Sequence, residues 1–186
     1  AYSSVENMGI LAVGVGLGPA GAAGALLHAV NHSLIRASLF LLAGNLLVLY
    51  GSRSTDAVRG ACRSVPATAR LWLIGLLAIG GMPPFGAFIS KFTIFKAALD
   101  AGRPWVGALL LGLVLVVLSA MSGTGLRMVM GAPSPTSGAQ QRARPLALWV
   151  APSLVLLACA LLLGLFLPDF LAGLIQRASG AAGVWP

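Results

Sequence analysis

Long apolar runs alternate along this chain with short polar interruptions. The first run extends from about Tyr2 to Gly18, the second from Ala23 to Tyr50, the third from Leu71 to Leu99, the fourth from Trp105 to Leu126 and the fifth from Leu146 to Leu167. A helix needs about 20 mostly apolar residues to cross the hydrocarbon core of a bilayer. The third run is longer and is interrupted by Gly80-Gly81-Met82-Pro83-Pro84. Proline removes a backbone donor and clashes with the preceding turn, so the pattern predicts one crossing made of two half-helices. The fold class expected is all-α: an integral membrane bundle of about five transmembrane helices, one of them discontinuous.

Composition strengthens this reading. The 186 residues are 58% hydrophobic and 9% charged, with mean hydropathy +0.94, where ordinary globular chains are about 25% charged. So few charges cannot build a soluble surface, which excludes a soluble enzyme and makes the lipid bilayer the first partner. Twelve basic and four acidic residues give a net charge of +8. The basic residues lie mostly between apolar runs, and no basic stripe with interleaved aromatics suggests nucleic acid. Cys62 and Cys159 match no metal or redox spacing and predict no disulfide. The chain opens at Ala1 without a charged leader segment, so a signal peptide is not expected, and the absent Met suggests a fragment of a longer protein.

Charge also orients the bundle. One connection, Gly51 to Arg70, holds Arg53, Arg59, Arg63 and Arg70; another, Arg127 to Pro145, holds Arg127, Arg142 and Arg144. If each run crosses once, these lie on one side, opposite Arg103 and Arg177, and the positive-inside rule places them in the cytoplasm with the C-terminus outside. Residues 1–126 form the expected translocation region, 127–145 a cytoplasmic linker with a flexible Pro- and Ser-rich stretch from Ala132 to Gly138, and 146–186 a closing helix and external tail. The tail from Leu171 to Pro186 is a candidate for the membrane interface.

Ionisable residues within apolar runs are costly, and each is a candidate site. Glu6 lies about 18 Å from the outer end of its helix, near mid-membrane; an interfacial position is the alternative. His28, His32 and Arg36, at i, i+4 and i+8, share one helix face. Histidine exchanges protons near neutral pH, which makes His28 and His32 candidate relay groups, with inter-helix hydrogen bonding as the alternative. Asn31 and Asn45 add polarity to the same helix. Two histidines at this spacing can bind metal, but His28-Ala29-Val30-Asn31-His32 has no glutamate beside the first histidine and no third ligand in view. No metal or other cofactor is expected. Arg36 is permanently cationic, a fixed charge tuning the histidines or, alternatively, a snorkelling anchor. Lys91 follows Pro83 and Pro84 by about two turns, near mid-membrane, and broken helices commonly mark ion sites in transporters. Lys96 is a secondary candidate that can pair with Asp100 one turn on or snorkel. Gly14, Gly16 and Gly18 end an apolar helix rather than follow a strand, so they predict close helix packing, not a dinucleotide loop.

Three segments carry a family resemblance. Ala1-Tyr2-Ser3-Ser4-Val5-Glu6-Asn7-Met8-Gly9-Ile10 resembles the AYSSxExMGI signature of antiporter-like membrane subunits. Leu27 to Arg36, LHAVNHSLIR, resembles their LHxxNHxxxK helix, and Gly81 to Phe92, GMPPFGAFISKF, resembles their broken helix. The likeness is to component F of the hydrogenase-4 and formate hydrogenlyase type, among relatives that include the large proton-pumping subunits of complex I and of multi-subunit sodium/proton antiporters. It covers most of the chain through the fourth run and extends more loosely over the residues after that run.

The resemblance implies a proton-translocating membrane-arm subunit of a hydrogenase or NADH dehydrogenase-type complex, an oxidoreductase complex in which this subunit has no redox centre of its own. The implied setting is the bacterial inner membrane, and the implied partners are other membrane-arm subunits and a peripheral hydrogenase or dehydrogenase arm. It also implies two inverted five-helix repeats, of which this chain resembles most of the second plus a closing helix. The resemblance maps His28 and His32 to the family's histidines, Lys91 to its broken-helix charge and Glu6 to the glutamate of the hydrogenase-type subgroup, which makes these four the expected proton relay. Asn7 stands where close relatives often have histidine, Arg36 where lysine is usual, and Lys91 where close hydrogenase relatives have glutamate. A sodium/proton antiporter subunit and a purely structural membrane anchor are the rival expectations.

Overall fold

A computed structural model describes residues 2–51, 54–55, 58–131 and 147–182. Among them are eight helices and no strand: α1 (Tyr2–Gly16), α2 (Pro19–Tyr50), α3 (Ala61–Ser64), α4 (Pro66–Gly80), α5 (Gly86–Asp100), α6 (Pro104–Met130), α7 (Ala147–Leu165) and α8 (Asp169–Ala182). Proline occupies the first turn of α2, α4 and α6, where its missing N–H costs nothing and its fixed φ suits a helix start.

Two helices, Pro19–Tyr50 and Pro104–Met130, are each long and apolar enough to cross a membrane alone, and the bent pair Trp149–Leu165 and Asp169–Ala181 would make a third. α1 and α4 are shorter apolar helices. The third apolar run is two separate helices, α4 and α5, divided at residues 81–85.

Several boundaries differ from the sequence expectation for local reasons. The chain between the first two runs is no loop: Gly18, at φ +86°, turns it, and Pro19 starts α2 at once. Gly14 provides the expected close packing, since an added Cβ would lie 2.8 Å from Ala25 Cβ, whereas Gly16 faces open space. α6 continues a turn past Leu126, placing Arg127 in its last turn. The tail forms α8, with Leu171, Ile175 and Ser179 facing inward at one-turn spacing against α2 and Phe170 facing out. Arg53, Arg142, Arg144 and the Pro- and Ser-rich linker stretch lie outside the described residues.

α2 is the hub, packed by α1, α4, α5, α7 and α8. Its buried positions Gly21, Gly24, His28, Asn31, Ile35, Ser38, Leu42, Asn45 and Leu49 alternate steps of three and four, which keeps one seam facing its neighbours. The seam mixes small, apolar and polar side chains. Ser38 Oγ donates to Ser153 O at 3.0 Å and Asn45 Nδ2 to Trp149 O at 3.0 Å, tying α2 to α7 on both sides of Pro152. In lipid such ties are worth about 0.6 kcal/mol each on average, so tight packing contributes more. The outward faces of α2 and α6, including Phe40, Leu113, Leu115 and Val116, are exposed and apolar, as lipid contact requires.

Candidate functional site in the α1, α2 and α5 seam

The site begins where α4 ends. An α-helix leaves its last four carbonyls without helical donors. Here Gly81, at φ +83°, reverses the chain, its N–H donating to Ala78 O at 3.1 Å while Met82 N–H donates to Leu77 O at 3.1 Å. This is the paired closure that a left-handed glycine permits. Two carbonyls remain, Ile79 O and Gly80 O. Lys91 Nζ donates to both, at 3.4 and 3.3 Å. The lysine of α5 thus folds back onto the negative end of the α4 dipole, and the ammonium is buried.

Non-helical backbone at membrane depth must be covered by protein or water. α7 covers this break: Gly164 lies so close to the backbone of residues 84–86 that a Cβ there has no room. Phe85 and Ala87 pack with Leu157 and Ala160 of α7 in the same apolar cluster. Pro83 and Pro84 themselves are exposed; their part is to keep helix from forming across the break.

A second group lies beside it. His28 is 1% exposed, and both ring nitrogens are engaged: Nδ1 with Ser90 Oγ at 2.9 Å and Nε2 with Asn7 Oδ1 at 2.8 Å. Ser90 Oγ also reaches Ala87 O at 2.9 Å. Three helices therefore meet at one imidazole: α1 through Asn7, α2 through His28, α5 through Ser90, the residue before Lys91. His32 stacks on His28 with ring centroids 5.9 Å apart and planes 23° apart, and is half-buried. Glu6 is half-buried on α1, the helix that also presents Asn7 to His28.

The remaining candidates are placed differently. Arg36 sits with its guanidinium 5.2 Å from the centre of the Phe40 ring, one turn further from His32. Lys96 is exposed on α5 and, among the described residues, makes no ion pair with Asp100. The fold brings the sequence candidates Glu6, His28, His32 and Lys91 into one seam and adds Ser90 and Asn7 as hydrogen-bond partners of His28. In the sequence Asn7 stands out only as a departure from the histidine of close relatives, and Ser90 only by its adjacency to Lys91. Asn31 is fully buried, its Nδ2 donating to Leu27 O at 3.0 Å, with Gly86 against its amide. Among the described residues no three His, Cys, Asp or Glu side chains come together as metal ligands. Cys62 and Cys159 are free and exposed. An apolar cavity of about 1070 Å³ between α2, α4 and α6 is lined by none of the candidate residues Glu6, His28, His32, Arg36, Lys91 and Lys96.

The family whose pattern matches residues 1–119 is described as "NADH:quinone oxidoreductase/Mrp antiporter, TM". The chain belongs to this family. It is 30% identical to hydrogenase-4 component B of Escherichia coli over 185 residues, covering 87% of this chain and 27% of that protein. It is 31% identical to NADH-quinone oxidoreductase subunit N of Desulforudis audaxviator over 194 residues, covering 96% and 38%. Its fold matches a chain in the structure of the Mrp complex from Dietzia sp. DQ12-45-1b with TM-score 0.79 at 25% identity, covering 98% of this chain and 41% of that one. The chain therefore spans about a quarter to two fifths of the length of these relatives. Membership, the apolar helices and the fold match make it a membrane subunit of the kind found in hydrogenase, NADH dehydrogenase and antiporter complexes.

Proposed function

We propose that this chain is part of a proton-translocating membrane-arm subunit of a hydrogenase, formate hydrogenlyase or NADH dehydrogenase-type complex, and that Glu6, His28, His32 and Lys91 pass protons through the seam between α1, α2 and α5. The observation that carries the reading is the convergence of ionisable groups from three helices beside a backbone break that holds a buried lysine. A histidine bonded at both nitrogens joins α1 to α5, and the next residue of α5 is the lysine on the freed carbonyls of α4. Arg36 acts as the fixed charge tuning the histidines, and Lys96 remains outside the relay. Partners are the other membrane-arm subunits and a peripheral redox arm, which carries the electron chemistry. Residues 1–126 belong to the translocation region, equivalent to most of one five-helix inverted repeat, followed by a linker over 127–145 and a closing segment over 146–186.

The test is Lys91→Ala in the full-length subunit within its complex. Proton pumping into vesicles should fall to background while the complex still assembles. Pumping at the wild-type rate would remove Lys91 from the relay, and unchanged flux in both Lys91→Ala and His32→Ala would favour a structural anchor.

The likeness to an Mrp complex supports a second reading, a subunit of a multi-subunit sodium/proton antiporter. Sodium-dependent proton exchange in vesicles without any redox substrate would select it. In either reading the arginine-bearing connections face the cytoplasm and the C-terminus faces out, by the positive-inside rule. A cysteine introduced at Ser137 should resist an impermeant thiol reagent added outside intact cells; ready labelling would invert the orientation.

A further inference from the structure

We infer that Asn7 and Ser90 together make His28 a one-sided proton exchanger: Asn7 holds a proton permanently on Nε2, and the Ser90 hydroxyl rotates between Nδ1 and Ala87 O as Nδ1 gains or loses its proton. This rests on the proton-relay reading above and assigns roles to two residues outside that relay.

Counting hydrogens leads to it. A neutral imidazole has one N–H donor and one acceptor nitrogen; an imidazolium has two donors. His28, Ser90 and Asn7 are 1%, 0% and 3% exposed, so bulk water cannot make up a missing partner, and an unpaired buried polar atom is costly. The Asn7 atom facing Nε2 is Oδ1, at 2.8 Å. A carbonyl oxygen only accepts, so Nε2 carries hydrogen whether the ring is neutral or charged. Exchange is left to Nδ1. The group facing it is a hydroxyl, which both donates and accepts.

Ser90 Oγ lies 2.9 Å from Nδ1 and 2.9 Å from Ala87 O, so its single hydrogen has two good acceptors. With the ring neutral, Ser90 O–H donates to Nδ1. With the ring charged, Nδ1–H donates to Ser90 Oγ and the serine hydrogen swings onto Ala87 O. Every donor and acceptor is satisfied in both states and no heavy atom moves. The step balances: an acid of the relay gives its proton to Ser90 Oγ and becomes its conjugate base, while the serine's own hydroxyl proton passes to Nδ1, leaving an intact serine and an imidazolium. Exchange is thus confined to the side of the ring that faces Ser90 of α5 and is closed toward α1. The ionisable groups around the imidazole are His32 on its own helix, Lys91 on α5, and Glu6 beside Asn7 on α1.

The decisive measurement is the ¹⁵N histidine spectrum of the full-length subunit in its complex, with the His28 signals identified by their loss in His28→Gln. Neutral His28 should carry its proton on Nε2, with Nδ1 unprotonated, and Asn7→Leu should abolish that preference. A neutral ring protonated on Nδ1 in the wild type overturns the inference without touching the relay reading. In transport, Ser90→Ala should cut proton flux by about tenfold or more, and Ser90→Thr, which restores the hydroxyl, should recover most of it. Wild-type flux in Ser90→Ala, together with lost flux in His28→Gln, overturns the hydroxyl step alone. Flux that survives His28→Gln overturns the underlying relay. If Ser90→Ala fails to assemble, the wild-type spectrum still decides.

Discussion

Two breaks in the helical run of this chain look alike in sequence and differ in what surrounds them. The first, residues 81–85 between α4 and α5, contains Pro83 and Pro84; the second, residues 166–168 between α7 and α8, contains Pro168 and bends the chain by 74°. At the first, the freed backbone is pressed against α7 at Gly164, and its two leftover carbonyls hold the ammonium of Lys91. At the second, Phe166 and Phe170 are 74% and 79% exposed, and Phe166 N–H still closes onto Leu162 O at 2.7 Å. A proline break is therefore not a candidate site in itself. The first break is one because carbonyls are left over there and the charged side chain of Lys91 satisfies them.

The contrast can be broken most directly at the charge. Lys91→Ala should reduce proton flux to background, whereas Pro168→Ala, at the second break, should leave flux near the wild-type rate. Equal losses in vesicles would mean that both breaks serve only to shape the bundle.

The cover over the first break gives the next largest effect. Gly164→Leu would force a side chain into the backbone of residues 84–86, and overpacking of this kind costs roughly 1–3 kcal/mol. Thermal unfolding of the purified complex should show a lower midpoint, and flux should fall with it, since the half-helices lose their register. A midpoint unchanged from wild type would show that α7 does not hold the break.

Gly81→Ala tests the turn that ends α4. A left-handed conformation costs an L-residue roughly 1–2 kcal/mol, and the new Cβ would lie 3.1 Å from Lys91 Cδ. A moderate loss of stability with partial loss of flux is expected. The same substitution at Gly112, in α6 with open space around it, should cost nothing by the same unfolding assay.

The smallest effect concerns Arg36. Arginine remains protonated, so it cannot pass protons by losing charge. If it tunes the histidines as a fixed cation, Arg36→Gln should move the dependence of flux on pH, and Arg36→Lys should leave it in place. The guanidinium also rests on Phe40, an exposed cation–π contact worth roughly 0.5–1 kcal/mol. An unmoved profile in Arg36→Gln would leave that anchoring contact as its whole role.

Local chemistry made much of this legible from the residues alone. Apolar runs this long and this poor in charge point to an all-helical membrane protein, because in lipid a continuous apolar run satisfies its backbone as a helix, whereas barrel strands are short and alternate. The pair Pro83 and Pro84 fixes a break in the third run, and helical spacing puts His28, His32 and Arg36 on one face. These are short-range constraints, set by bond geometry and helical pitch. The roles of Asn7 and Ser90 were not legible. They lie 21 and 62 residues from His28, on helices whose relative register no local pattern specifies. Nor could spacing show that Lys91 reaches back 11 and 12 residues to cap α4, or that Gly164 seals the break. The sequence determined which polar groups lie within apolar helices. Only the packing of α1, α5 and α7 around α2 decided which of them meet, because a buried hydrogen-bond partner is chosen by three-dimensional proximity, and the chain encodes that only through the whole fold.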